Sequence, residues 1–286
     1  MAVIIACHNR RETTLECLDH LAKNELKAFR SEIFLMDDGS TDGTSEAVRA
    51  KYPQVNILSG NGNLFWNQGM YQAFSKAIEK GFDYYLWLND DTNLYPHAVS
   101  TLIDSHRKLA KRTSSRSIVI GSACDPATNS LTYGGYKLRR PGKKLSFNMV
   151  VPQDDLVECD TMCGNCVLIP SEVVELVGNT DPVFRHRWGD MDYGLRAKRA
   201  NCKVYVAPGY AGTCEDNPLA KSWRDFKIPI RDRINILHSV KGLHKEDWKT
   251  YVKRHGGSLW LLKWIKPYLL IFLTSILQRD IKLARR

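Results

Sequence analysis

Asp90-Asp91 directly follows the apolar run Tyr84-Tyr-Leu-Trp-Leu88, so two adjacent carboxylates end what reads as a buried strand. Unpaired charges are costly there and must be solvated or bound to a cation. Hard oxygen ligands of this kind suit Mg2+ or Mn2+ held together with diphosphate oxygens; a plain turn is the other reading. Asp37-Asp38-Gly39-Ser40-Thr41-Asp42-Gly43-Thr44 places two more carboxylates at a strand end, before a glycine-rich turn that opens a helix. Such a turn can bring backbone N–H groups and carboxylates to the base and ribose of a nucleotide, and a simple turn with N-cap residues has the same composition. Neither GxGxxG nor a P-loop GxxxxGK occurs, which speaks against dinucleotide and P-loop chemistry. Cys163-Gly-Asn-Cys166 is a lone CxxC, read as small buried side chains at a turn, with zinc or redox use as the alternative.

The elements that must position these residues follow from hydrophobic periodicity. Strands are predicted over 3–6, 33–36, 55–58 and 84–88, and helices over 12–29, 44–50 and 68–80. This alternation implies a parallel α/β sheet, and every strand ends in polar or glycine-rich residues. In open α/β sheets ligands bind beyond the carboxyl ends of the strands, so four polar strand ends mark one site. Further strands are predicted over 118–122, 131–136, 166–169 and 203–207, with an exposed basic loop over 137–144. A helix is expected from Ser171, with that serine as its cap, and another over 188–201 with Tyr193 and Ala197 on its apolar side.

The chain has 286 residues, 43% hydrophobic and 25% charged, and a net charge of +10, in the range of ordinary globular proteins. The charge is uneven: residues 219–286 hold 16 Lys/Arg against five Asp/Glu, a net +11, and residues 1–218 a net −1. The expected division is a domain over 1–218, with halves at 1–95 and 96–218, and a basic helical extension over 219–286. That extension carries Trp223, Trp248, Trp260 and Trp264, and its uninterrupted apolar run over 267–277 is too short for a spanning helix, which needs about 20 residues. It is expected either to lie on an anionic membrane surface through 259–286 or to pack on the domain or in a dimer contact. The N-terminus lacks a basic lead before its apolar run and reads as a strand, giving a cytoplasmic expectation in which the eight cysteines stay thiols.

Taken in order, several segments carry a family resemblance: Ile4-Ile-Ala-Cys-His-Asn-Arg10, Met36-Asp-Asp-Gly-Ser-Thr-Asp-Gly43, Gly62-Asn-Leu-Phe-Trp-Asn-Gln-Gly-Met70 and Leu86-Trp-Leu-Asn-Asp-Asp-Thr92. They resemble the nucleotide-sugar half of family 2 glycosyltransferases with the GT-A fold, a Rossmann-like, mostly parallel central sheet flanked by helices. The resemblance continues through Gly164-Asn-Cys-Val-Leu-Ile-Pro170, Val177-Gly-Asn-Thr-Asp-Pro182 and Gly189-Asp-Met-Asp-Tyr-Gly-Leu-Arg196, covering about residues 2–215. Members with this Phe-Trp-x-x-Gly-Met and Asn-Asp-Asp-Thr pattern are described as rhamnosyltransferase-like, which implies polysaccharide or O-antigen assembly.

The resemblance implies roles position by position. Asn89-Asp90-Asp91 matches the metal-binding DxD, with Asp91 as main ligand of Mn2+ or Mg2+ and Asn where the first Asp is usual. Asp37, Asp38 and Gly39 match the nucleobase and ribose contact, Ala6, Cys7, His8 and Arg10 line that pocket, and Asn63, Trp66, Asn67 and Gly69 lie along the diphosphate and sugar. Gly189-Asp190-Met-Asp192 matches the Glu-Asp-x-Asp element, making Asp190 the general base, with Gly where Glu is usual. Asp192 is then an orienting group, paired with Arg196 at i+4, or an acceptor contact. Cys214 or His238 is a candidate third metal contact, and Arg185, His186, Arg187 and Trp188 grip the acceptor or form a solvated loop. His8 is read as pocket wall, with a catalytic role as the alternative.

These roles imply an inverting transfer from a UDP- or dTDP-sugar to a lipid-linked or oligosaccharide acceptor, on the cytosolic face of the membrane. A homo-oligomer is among the expected assemblies, and nucleic acid is not an expected partner. A nucleotidyltransferase acting on sugar phosphates, a basic nucleic-acid-binding module and a non-catalytic scaffold remain the competing readings.

Overall fold

The computed structural model describes residues 1–24, 30–140, 145–216, 222–225 and 227–284, with side chains through residue 275. The first part runs β1 (Ala2–Cys7), α1 (Arg11–Ala22), β2 (Glu32–Asp37), α2 (Thr44–Lys51), β3 (Asn56–Ser59), α3 (Phe65–Lys80), β4 (Tyr84–Leu88), β5 (Asn93–Leu94) and α4 (Ala98–Arg112). The middle part holds β6 (Ser117–Cys124), β7 (Leu131–Tyr133), β8 (Gly135–Leu138), β9 (Phe147–Met149), β10 (Val157–Glu158), β11 (Thr161–Met162) and β12 (Cys166–Pro170). After it come α5 (Ser171–Val177), α6 (Gly189–Arg199), β13 (Lys203–Thr213), α7 (Ile230–His238), α8 (Lys245–His255) and α9 (Trp260–Ala284).

The main sheet has the order β10-β13-β6-β12-β4-β1-β2-β3. Strands β4, β1, β2 and β3 are mutually parallel, while β12 inserts antiparallel between β4 and β6. Strand β1 lies between β2 and β4, so the chain leaves it in opposite directions on its two sides, and the crevice at such a switch point is where ligands bind. Near-continuous apolar strands such as Ala2–Cys7, buried at every position, are what a sheet covered on both faces requires. One face packs Ile4, Phe74, Trp87 and Tyr193, with Trp87 edge-on to Phe74 and Tyr193, and the other packs Val3, Leu18, Leu86 and Ile103.

The α/β fold class and the strands over 3–6, 33–36, 84–88 and 166–169 agree with expectation, and the departures have local causes. The single strand expected over 131–136 is two, β7 on β6 and β8 in a separate sheet with β9 and β11. The break falls at Gly134, where a Cβ would lie 2.8 Å from Ser122 Oγ. Ser171 does not cap α5; Pro170 holds the N-cap position, and Ser171 Oγ bonds its neighbour Glu172. Helix α1 ends at Ala22, and residues 25–29 and 141–144 of the expected helix and loop lie outside the described residues. Helix α4 was not anticipated, although Val99, Leu102, Ile103, His106 and Leu109 give it a buried stripe at helical spacing.

Among the described residues, the basic segment after residue 218 forms three helices. Trp223, Leu237, Leu243 and Ile271 make one small core, and Tyr251 and Val252 close over Phe184 in another. Helix α9 continues through Pro267 for 25 residues, longer than the uninterrupted apolar run suggested. Among the described residues no helix is long and apolar enough to cross a membrane.

Candidate functional site

The carboxyl ends of β1, β2 and β4 meet in the crevice, and each contributes part of a connected polar network. Arg10, just past β1, donates from Nη1 to Asp90 Oδ1 at 2.8 Å and to Asp91 Oδ2 at 3.0 Å. Asp90 is buried and its second oxygen, Oδ2, has no hydrogen-bond partner among the described residues. Burial pushes its carboxyl up to about 7, against the pull of the Arg10 charge. Asp91 is more open, and Cys214 Sγ lies 3.6 Å from its Oδ1. Burial, reinforced by Asp91, pushes the Cys214 thiol up to about 12. His238, the other candidate for this neighbourhood, instead faces Tyr268 in the C-terminal helices.

The acidic turn after β2 is a scaffold for the next loop. Asp38 accepts the backbone N–H of Gly62 at 2.8 Å on one oxygen, and those of Leu64 at 2.8 Å and Phe65 at 3.0 Å on the other. Asp37 accepts from the Ser40 N–H at 2.9 Å and from the Ser45 hydroxyl. Both carboxylates are buried, so their side chains organise loop backbone in this structure. Gly39 has φ +66°, and a Cβ there would sit 2.8 Å from the Gly62 nitrogen, so the two loops touch through glycine. His8 Nδ1 donates to the Asp38 carbonyl oxygen at 2.6 Å, which ties the β1 and β2 ends together, and Cys7 is buried at the end of β1.

The residues expected along the diphosphate and sugar separate into two groups. Asn63 is on the open loop, and Trp66 donates from Nε1 to Asn89 Oδ1 at 2.7 Å. Asn89 thereby turns its amide to the tryptophan rather than serving as a third acidic ligand. Asn67 and Gly69 are both buried. Asn67 is fully buried and donates to the carbonyls of Asp181 and Phe184, at 2.9 and 2.8 Å, holding the loop before α6. At Gly69 a Cβ would lie 3.3 Å from that of Ala6, so α3 and β1 approach each other closely there.

Helix α6 brings Asp190 to the same region. Its Oδ2 accepts the Gly164 N–H at 3.0 Å and its Oδ1 the Met191 N–H at 2.7 Å. Burial raises the carboxyl above its ordinary range, partly offset by these two amides. Gly164 also lies under the Trp66 ring, and a Cβ there would come within 2.5 Å of two ring carbons. A continuous chain of contacts thus runs Asn89, Trp66, Gly164, Asp190. The glycine at 189 has a steric reason: a Cβ would fall 1.7 Å from Asn67 Oδ1, so the buried amide excludes the glutamate usual in the resembling family.

Asp192 lies on the same helix and pairs with Arg196 at i+4. It is fully buried and accepts from Arg196 Nε, Arg254 Nη1 and His255 Nε2, each at 2.8 Å. Burial works to raise this carboxyl, but the hydrogen bonds from His255, Arg196 and Arg254 overcome it and hold the group below its ordinary range. The neighbouring loop is clamped by the same helix α8. Asp247 accepts the Arg185 N–H at 2.9 Å, and Trp188, at φ +76°, stacks on Tyr251 with centroids 4.6 Å apart. Arg187 is exposed beside Asp190, and burial pushes His186 down to about 4, so it is neutral near pH 7. Asp247, Arg254 and His255 carry no local signal in the sequence, whereas Gly164 lies inside the CxxC turn and the resembling segment that follows it. The cysteines of that turn are free thiols, and among the described residues no group of three or more His, Cys, Asp or Glu gathers to hold a metal.

Comparison with known proteins agrees with this architecture. The sequence model of Glycosyl transferase family 2 matches residues 2–152. A crystal structure of GalNAc-T7 with UDP, GalNAc and Mn2+ superposes with a TM-score of 0.57 at 14% identity, covering 85% of this chain and 53% of that one. The chain thus spans about half the length of that neighbour, and the likeness is one of fold. A crystal structure of TarS from S. aureus matches with a TM-score of 0.48 at 14% identity, over 88% of this chain and 69% of that chain. No curated protein matches the sequence. With the family model spanning more than half of the residues and a GT-A sheet beneath it, the chain belongs to glycosyl transferase family 2.

Proposed function

We propose that the chain is an inverting, metal-dependent glycosyltransferase that moves a sugar from a UDP- or dTDP-sugar to a hydroxyl of a lipid-linked or growing surface glycan. Rhamnose is the sugar that the motif resemblance favours. The observation that carries the reading is the pairing of one half-buried carboxylate, Asp190 on α6, with the Asp90-Asp91 end of β4 through the Asn89–Trp66–Gly164 contacts. Asp190 takes the proton of the acceptor hydroxyl as its oxygen attacks the anomeric carbon and the bond to the diphosphate breaks, so one displacement inverts the centre. The unpartnered Oδ2 of buried Asp90, with Asp91 beside it, fits a hard divalent cation completed by diphosphate and water oxygens. Such a cation supplies charge neutralisation for the departing nucleoside diphosphate. We assign residues 1–218 to the catalytic domain and 219–286 to its extension.

The test is a thermal-shift panel of UDP, dTDP, GDP and CMP with and without Mn2+. A ligand at 100 times its Kd adds about 2.7 kcal/mol of stability. A metal-dependent shift with UDP or dTDP is the expected result, and no shift with any nucleotide removes the proposal.

The membrane part of the reading rests on α9. Leu261, Leu262, Ile265, Leu269, Phe272 and Leu273 are all exposed, and at about 100° per residue they fall within one stripe roughly 120° wide. Trp264, Tyr268 and Ile271 face the α7–α8 side. An exposed apolar stripe on a strongly basic segment suits the headgroup boundary of an anionic bilayer, on the cytosolic face. The protein should co-sediment with vesicles containing phosphatidylglycerol, and Leu262→Asp with Phe272→Asp should release it. Concentration-dependent dimerisation lost in the same variant, without vesicle binding by the wild type, would assign the stripe to a second copy instead.

A further inference from the structure

The Arg10 guanidinium stands where a cation between Asp90 and Asp91 would stand: one nitrogen, Nη1, reaches an oxygen of each carboxylate, at 2.8 and 3.0 Å. Arg10 holds one oxygen of each carboxylate and leaves Asp90 Oδ2 open, so a divalent ion that drew on both carboxylates would sit within a few ångströms of the guanidinium charge and be repelled by it. The two ends of Arg10 differ in freedom. Its backbone is fixed between β1 and α1, whereas its side chain is 45% exposed and carries a long stem. The crevice into which it opens is the one that receives a nucleotide in open α/β sheets, and a planar guanidinium is as well matched to phosphate oxygens as to carboxylates.

We infer that Arg10 is an internal counter-cation that closes the Asp90–Asp91 site in the empty protein and transfers to the diphosphate when metal and nucleotide enter. This inference rests on the metal-dependent reading above. Its consequence is coupling. Metal alone must displace Arg10 without offering it a new anion, so its apparent affinity is reduced by the fraction of molecules in which the site is open. A diphosphate supplies the new partner, so each ligand strengthens the other by the same factor. The arrangement also protects the buried pair: without Arg10, two adjacent carboxylates, one of them buried, would face each other uncompensated.

The experiment is a Mn2+ titration of the full chain followed by the EPR signal of the free ion, with and without UDP. It compares the wild type, Arg10→Met and the control Arg11→Met, whose side chain is exposed and paired with Glu12. Arg10→Met is expected to bind Mn2+ alone at least tenfold more tightly than the wild type, and to show a smaller UDP-dependent gain. Arg11→Met is expected to stay within about twofold of the wild type. Equal affinities for wild type and Arg10→Met, weaker binding by Arg10→Met, or an equal gain in Arg11→Met overturns the role of Arg10 and leaves metal dependence standing. Absence of Mn2+ binding by every protein, even with UDP, overturns both. Should Arg10→Met not fold, Arg10→Gln gives the same comparison.

Discussion

Asp190→Asn is expected to lower turnover by roughly 10²–10⁴-fold, the range for a positioned general base, while UDP binding measured by thermal shift stays within about twofold. The substitution keeps size and shape, but the new amide can satisfy only one of the two N–H groups that now point at the carboxylate, those of Gly164 and Met191. Proton abstraction is what disappears, because the carboxamide has no basic lone pair to replace it. The pH profile of the wild type carries a second signature. A base acts only when ionised, and burial holds Asp190 above its ordinary range. Activity should therefore fall as pH drops through that raised value, giving an acid limb at higher pH than a solvated carboxylate would, with a plateau above it. Unchanged turnover in Asp190→Asn with the true acceptor would remove Asp190 as the base and favour a scaffold role.

Local patterns in the sequence were sufficient for the first four parallel strands. Apolar runs that end in Cys7-His8-Asn9-Arg10, Asp37-Asp38 and Asp90-Asp91 are strands whose polar ends converge because parallel strands in one sheet all finish on the same edge. What the patterns did not carry is where each side chain turns. Asp38 and Asn67 have the residue types of ligand contacts, yet both serve backbone groups of neighbouring loops. Buried backbone N–H and C=O groups need partners, and a short polar side chain at a strand end meets that need first. The junction with α8 was illegible for a different reason. Asp192 and His255 are 63 residues apart with a strand and a helix between them, and no periodicity links them.

Asp192→Ala is expected to destabilise the protein by about 3 kcal/mol, the lower end of what breaking a buried ion pair costs. The lower end applies because two partners keep other bonds: Arg254 still meets Asp181, and Arg196 still donates to the carbonyls of Val177 and Asn179. In a domain of this size such a loss corresponds to a fall in Tm of roughly 6–12 °C. The sign with pH follows from the group's position below its ordinary range in the folded state. Its stabilisation is fully present above the unfolded value and fades as pH falls through the folded one, so the gap between wild type and variant is widest near neutral pH and closes on acidification. The loss should also loosen α8 from the loop before α6, since Asp192 joins the helix that carries Asp190 to Arg254 and His255. The stack of Trp188 on Tyr251 and its tilted contact with Trp248 report this directly through tryptophan fluorescence. A variant with an unshifted Tm and an unchanged emission spectrum would mean that the hydrophobic contacts of Phe184, Tyr251 and Val252 hold the extension in place by themselves.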